Sequence, residues 1–249
     1  MRPMATRAVP AMLDAGPACH AMPDARTIWS ANCKEEVTFW DEWFRTKGLA
    51  WPDDYRDKTD PALPVQEFHR GLIDAIPGTD VAILDVGAGP LTILGKVHPA
   101  KRLRITAVDP LADEYNALID RYGVVPPVRT QRCAAEELSQ ICPDNTFDLV
   151  NATNCIDHSF DPVKAMLAMV RVLKPGRVLT MRHAENEADS HRYGGLHQWN
   201  LTMAAGDFWI RSKRGDRNVT TLLASVADVC CYRRPPNEII VNIRKYDAV

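Results

Sequence analysis

The apolar run Val81-Ala-Ile-Leu ends in Asp85, and two glycines follow closely in Gly87-Ala-Gly89-Pro90. Glycine adopts positive φ without strain, so the backbone here turns tightly and passes close beneath a ligand. In doubly wound sheets ligands bind at the carboxyl ends of strands, which places this turn against a cofactor. A second apolar run, Leu103 to Val108, ends in Asp109, 24 residues after Asp85, where a carboxylate can hold two ribose hydroxyls. A nucleotide-like ligand is thereby indicated.

Electrostatics divides the candidates. A dinucleotide puts a pyrophosphate over the turn, and its fingerprint requires a third glycine where this chain has Thr92. It would also bring an anion to Asp85 in a partly dry crevice. S-adenosylmethionine presents an ammonium and a sulfonium instead, and an acid at the strand tip then helps to hold it.

Methyl transfer from a sulfonium is an in-line displacement in which a positive charge disappears, so a water-poor pocket and a positioned acceptor favour it. An alcohol acceptor also needs a base. Asn151, Asn154, Asp157 and His158 follow the fourth apolar run, and His183 and Glu185 follow the fifth. His158 reads either as a loop-shaping residue or as a base, and His183 as a base or a pocket wall. The stretch 183–210 is long and polar, with His183, His191 and His197 near Glu185, Glu187 and Asp189. Within it Trp199 is costly to leave in water, and its neighbours Gln198 and Asn200 can orient hydroxyls, so an acceptor-binding insertion is expected. The histidines show no HxxxH or HxH pattern, and no metal is assigned.

These residues need a frame. Asn32 and Glu35 resemble a capping box and Gly48 a stop, which predicts a helix from Asn32 to Lys47 carrying Phe39, Trp40, Trp43 and Phe44. A loop with Trp51 and Tyr55 follows, then a helix from near Pro64 to Ile76 with Val65, Phe68, Leu72 and Ile76 on one face. The early tryptophans either pack this segment onto the main domain or form a lid with Trp40 in the acceptor wall. From Val81 onward strands alternate with helices. Val128–Cys133, Phe147–Val150 and Arg177–Met181 read as further strands, and Asp161-Pro162 caps a helix that Pro175-Gly176 stops. Two final strands, Val226–Cys231 and Glu238–Ile243, lack an intervening helix. The pattern predicts an α/β fold: a Rossmann-like, doubly wound, mostly parallel sheet with an antiparallel carboxyl-terminal edge hairpin.

The 249 residues are 46% hydrophobic and 25% charged, which suits a globular chain with a substantial core. A net charge of -2 argues against a broad basic face for nucleic acid, and no apolar run is long enough for a membrane helix. The seven cysteines are odd in number and lack CxxC spacing, which suggests a reducing, cytoplasmic compartment. Residues 1–26 show no periodicity and are expected to be a disordered leader.

The motif set, in order and spacing, resembles the class I S-adenosylmethionine-dependent methyltransferases of the small-molecule, type 11-like kind. Asp85-Val-Gly87-Ala-Gly89 resembles the first motif, with Leu91 where a third glycine is common. Asp109-Pro110 resembles the ribose segment and Cys133-Ala134-Ala135-Glu136 the adenine segment, although Ala134 stands where an acid is frequent. Phe147–Val150 with His158 and Asp161-Pro162 matches the fourth-strand region, and Arg171–Gly176 the turn before the fifth. The resemblance implies S-adenosyl-L-methionine as cofactor, bound by Asp85, Gly87, Gly89, Asp109, Pro110, Ala135, Glu136 and Asn151. It implies a small-molecule acceptor, taken as an oxygen of a sugar or secondary metabolite. Catalysis is assigned to His183 and His158, and acceptor contacts to Asn154, Glu185, His197, Trp199, Asn200 and Trp40. The expected organisation is a leader (1–26), a helical Trp-rich cap (27–79) and the methyltransferase domain (80–249). The sequence leaves open a nicotinamide-dependent reductase, a non-catalytic adenosylmethionine-binding module, and an oligomeric state such as a homodimer.

Overall fold

Strands that lack polar alternation need cover on both faces, and the sheet is built accordingly. The computed structural model describes residues 24–247. Three helices, α1 (Ala25–Thr46), α2 (Pro52–Thr59) and α3 (Glu67–Asp74), precede the first strands, β1 (Asp80–Val86) and β2 (Arg102–Asp109). Next come α4 (Ala112–Arg121), β3 (Gln131–Arg132), β4 (Phe147–Thr153), α5 (Pro162–Val172) and β5 (Leu173–Ala184). The remainder is α6 (Glu187–Ser190), β6 (Asn200–Ala204), β7 (Asp207–Arg211), β8 (Arg217–Asn218), α7 (Val219–Leu223), β9 (Ala227–Arg234) and β10 (Glu238–Lys245).

The main sheet has the order β3-β2-β1-β4-β5-β10-β9. Its first five strands are parallel, and β10 runs antiparallel to both β5 and β9. This is the expected Rossmann-like sheet with its antiparallel edge. Chain order reverses direction at β1, whose neighbours are β2 and β4, so a crevice opens beyond the carboxyl ends of these strands. One large core fills the face under α5, with Leu84, Val150, Met166, Met169 and Leu179 among its buried residues. On the other side Ile73, Val81, Ile83 and Leu149 form a second core, and Trp43, Phe44, Tyr115 and Ile119 a third.

Several local expectations change. Helix α1 begins seven residues before Asn32, capped by Asp24, whose carboxylate accepts from the Thr27 N–H at 2.9 Å. Asn32 lies inside the helix and donates to the Ile28 carbonyl at 2.7 Å. Residues 24–26 therefore belong to an ordered helix start, while the rest of the expected leader lies outside the described residues. The loop after Gly48 holds α2, opened by Pro52 at its first position. In α3 the buried side chains are His69 and Ile73 rather than Phe68 and Leu72. The third strand shrinks to Gln131–Arg132, and α5 ends at Val172, with Pro175-Gly176 inside the irregular start of β5. Residues 200–218 form a separate three-stranded sheet, β6-β7-β8, which takes up the second part of the expected insertion at 183–210.

Among the described residues the six cysteines are free, and no helix is long and apolar enough to cross a membrane.

Candidate active site

The crevice holds a cavity of about 760 Å³. Asp85 through Gly89 form its floor, Asp109 to Leu111 one side, Ala134 to Glu136 the next, and Asn154, His158, His183 and His197 the far end. Trp29, Trp40 and Trp51 of the amino-terminal helical segment also line it.

The turn works because of its glycines. Gly87 and Gly89 have φ of 63° and 62°, and a Cβ on Gly87 would overlap the Cys155 side chain. At Gly89 a Cβ would stand 3.2 Å from the Trp40 ring, which shows how closely α1 lies over the turn.

Asp85 is buried, and both its oxygens are engaged: Asn151 Nδ2 donates to one at 2.7 Å and the Thr92 hydroxyl donates to the other. Asn151 is itself held by His69, whose Nε2 lies 3.0 Å from its Oδ1. Asn151 therefore positions Asp85 and does not line the cavity. Burial pushes the Asp85 carboxyl up, while Thr92, Asn151 and the cations of Lys58 and Lys96 oppose the rise. Asp109 accepts from the Gly89 N–H at 3.1 Å and the Leu111 N–H at 2.9 Å. Burial nevertheless raises its carboxyl to about 6. Glu136 is buried beside Ala135 and accepts from the Asp161 N–H at 3.0 Å.

At the far end Asn154 bridges β4 and β5, its Oδ1 accepting from the Ala184 N–H at 3.1 Å. Asp157 lies on the 3-10 turn Ile156–His158 and is buried among three imidazoles. Its Oδ2 is 2.7 Å from His197 Nδ1 and 3.4 Å from His158 Nε2, and its Oδ1 is 3.9 Å from His183 Nδ1. Burial pushes Asp157 up, but His158, His197 and His183 together outweigh it and hold its carboxyl below the ordinary value. Burial lowers His183 to about 4, so its imidazole is neutral near pH 7. Both His183 ring nitrogens are covered and have no hydrogen-bond partner.

Three residues assigned to the acceptor lie elsewhere. Glu185 receives Arg233 at 2.6 and 2.7 Å and the Thr202 hydroxyl at 2.6 Å, tying β5 to β9 and β6. Arg233 leads the contacts that lower its carboxyl to about 2. Trp199 donates its indole N–H to the Ser159 carbonyl at 2.7 Å, and Asn200 accepts from the Asp189 N–H at 3.0 Å. None of the three lines the cavity. They were assigned on polarity and bulk, and those properties serve the small sheet instead. We expect Glu185→Ala to lower folding stability by about 1–3 kcal/mol, since it leaves Arg233 and Thr202 without their acceptor. The loss, read by thermal melting near pH 7, should shrink toward pH 2, because a carboxyl with a depressed value stabilises only while ionised. A variant melting like the parent would show that these contacts hold nothing.

Lys58, Arg182, Glu187, Phe160 and Tyr115 also line the cavity, beyond the assigned set. Lys58 sits on the charged helix α2, whose lack of an apolar stripe hid the helix itself. Burial lowers its ammonium, with Asp54 and Asp85 pulling the other way.

With this geometry in view, residues 84–181 match the family model of the methyltransferase domain. An uncharacterized methyltransferase of Schizosaccharomyces pombe is 32% identical over 111 residues, covering 41% of this chain and 40% of that protein. A protein of Aspergillus luteorubrus named probable methyltransferase ltbC is 36% identical over 125 residues, covering 45% of this chain and 42% of that one. The matched part thus spans about two fifths of these relatives. Among solved structures, an S-adenosyl-L-methionine-dependent methyltransferase, so described, from Methanococcus maripaludis aligns with a TM-score of 0.54 at 15% identity, covering 87% of this chain and 94% of that one. One from Thermotoga maritima, described as a possible histamine N-methyltransferase, aligns at 0.51 and 14% identity, covering 88% and 99%. Over residues 84–181 the chain thus matches a methyltransferase domain, and its fold is that of the solved S-adenosylmethionine-dependent methyltransferases it aligns with.

Proposed function

We propose that this protein transfers the methyl group of S-adenosylmethionine to a small-molecule acceptor, most simply an oxygen of a sugar or secondary metabolite. The observation that carries the reading is the cavity's lining, which joins strand-tip acids and a glycine turn to imidazoles and three tryptophans. In this reading Asp109 takes the ribose hydroxyls, and Ala135 and Glu136 flank the adenine. Asp85 faces the methionyl ammonium while Lys58, set beside it, faces the carboxylate. Pro110 shapes the ribose side.

The acceptor then lies between Asn154, His158, His183 and His197, beneath the amino-terminal cap with Trp40 in its wall. His183 borders this space with Asp157 3.9 Å behind it, and that carboxylate would offset the burial that weakens His183 as a base when it takes a proton from a hydroxyl. The aromatic side chains of the lining lower the local polarity, which favours loss of the sulfonium charge.

The test is calorimetric titration with S-adenosylhomocysteine, followed by transfer of a labelled methyl group to a panel of phenols, sugars and amines. Binding with transfer to hydroxyl acceptors is expected; affinity for NADPH in place of adenosylhomocysteine would refute the reading. Lys58→Gln should weaken adenosylhomocysteine about three- to tenfold, the loss of one partly screened charge contact. Unchanged affinity would remove Lys58 from the carboxylate site.

A further inference from the structure

Three ligand-type atoms meet at the acceptor end of the cavity. Asp157 Oδ2 and His197 Nδ1 are 2.7 Å apart, His197 Nδ1 and His158 Nε2 are 3.2 Å apart, and His158 Nε2 and Asp157 Oδ2 are 3.4 Å apart. Both imidazoles can donate to the one carboxylate oxygen, but this crowds two ring nitrogens 3.2 Å apart, whereas a single cation at the centre makes all three contacts attractive. Ligands about 2.0–2.1 Å from a tetrahedral ion lie roughly 3.3 Å from one another, close to two of the three edges.

The surroundings agree. Asp157 is 1% exposed and its second oxygen has no hydrogen-bond partner. Glu187 Oε2 is likewise buried without a partner. Glu187 and His191 each offer a ligand atom within 4.8 Å of one on His197, and both line the cavity. The donors are distant in sequence: two follow β4, and His197 precedes β6. That separation is why no spacing motif announced them.

We propose that Asp157, His158 and His197 bind one divalent first-row transition ion of the zinc type at the acceptor end of the cavity, with Glu187 beside it. Two imidazoles and one carboxylate suit such an ion better than magnesium or calcium, which prefer oxygen ligands. Three protein ligands leave a position open toward the cavity, the arrangement found in catalytic rather than structural sites. There the ion takes an oxygen of the acceptor and eases loss of its proton, a consequence that rests on the methyl-transfer reading.

The experiment uses the full chain, stripped with a chelator and titrated with Zn2+ by calorimetry and with Co2+ by visible absorption. One equivalent of each is expected to bind, with Co2+ giving the intense bands of a low-coordinate site and Mg2+ failing to compete at a hundredfold excess. His158→Ala and His197→Ala should each weaken Zn2+ at least tenfold, with cooperative thermal melting showing that the variants fold. For the parent, Zn2+ should raise the melting temperature, a readout needing no substitution. Absence of stoichiometric binding to the parent, or binding that survives both substitutions together, would overturn the site. Adenosylhomocysteine binding and methyl transfer are scored separately. Stoichiometric metal without transfer to any acceptor leaves the site standing and counts against the functional reading. Transfer unaffected by complete metal removal does the reverse for the ion's role with the acceptor.

Discussion

Asp109→Asn should weaken adenosylhomocysteine by about 10- to 100-fold, because it removes the charge from a pair of hydrogen bonds to the ribose hydroxyls. The same substitution should make the empty protein relatively more stable near neutrality. Burial raises the Asp109 carboxyl to about 6 despite the N–H groups of Gly89 and Leu111. A group raised on folding contributes stability that is complete below its unfolded value and is lost as pH climbs through the folded one. Asparagine does not titrate, so the variant should gain on the parent between pH 4 and pH 7, by up to about 3 kcal/mol for a shift of roughly two pH units. Paired thermal melts across that range test this, and adding cofactor should reverse the order. A pH-independent gap, or equal cofactor affinity in both proteins, would show that Asp109 is not the strained ribose acid. On the proposed reading the coupling makes functional sense: the folded chain holds an uncomfortable carboxylate in reserve, and the ribose would supply the hydroxyls it lacks. For the parent, cofactor affinity should also fall as pH drops below about 6, when that carboxylate is protonated.

What the sequence disclosed follows from where the physical signal was local. The run ending at Asp85 is apolar without alternation because both faces of β1 are covered. Two glycines beside it announce positive φ, and Asp161-Pro162 announces a capped helix. Signals that depend on distant residues were illegible. Asn32 and Glu35 imitate a capping box, but Asp24 and Thr27 make the real cap, and the Asn32 side chain bonds within the helix. The hairpin joining β6 and β7 turns at Ala205-Gly206, both with positive φ. Alanine at the first of these positions hides a turn that asparagine or aspartate would have advertised. Glu185, Trp199 and Asn200 have the chemistry of acceptor contacts, yet their partners Arg233, Ser159 and Asp189 claim them for structure. Asp157 shows the converse: its importance rests on imidazoles 1, 26 and 40 residues away, a distribution that only the fold makes visible.

Two tryptophans three residues apart on α1 should separate folding from catalysis. Trp43 is 1% exposed, packed edge-on against Phe44 and 4.9 Å from the Tyr55 ring, in the cluster that fastens α1 to α4. Trp43→Ala should therefore cost about 3–5 kcal/mol of stability through the cavity it leaves, seen as a large drop in melting temperature. Trp40 is half-buried, with its indole N–H on Glu36 at 2.9 Å and its ring over Gly89 and 6.2 Å from Tyr115. It contributes less to the dock and more to the roof. Trp40→Ala should melt within a few degrees of the parent, yet lower methyl-transfer kcat/KM on the order of tenfold, since it admits water and loosens the acceptor. Because the ring lies over Gly89 in the cofactor turn, the loss should show in cofactor affinity as well as in kcat/KM, if α1 roofs the cavity as proposed. Equal stability losses in the two variants, with transfer by Trp40→Ala intact, would make α1 a packing helix and nothing more. Because the two rings touch, at 5.3 Å between centroids, the double variant should not be additive. Once Trp43 is gone and α1 is loosened, removing Trp40 should change transfer little further, which identifies the docked helix, rather than the indole alone, as the element that closes the site.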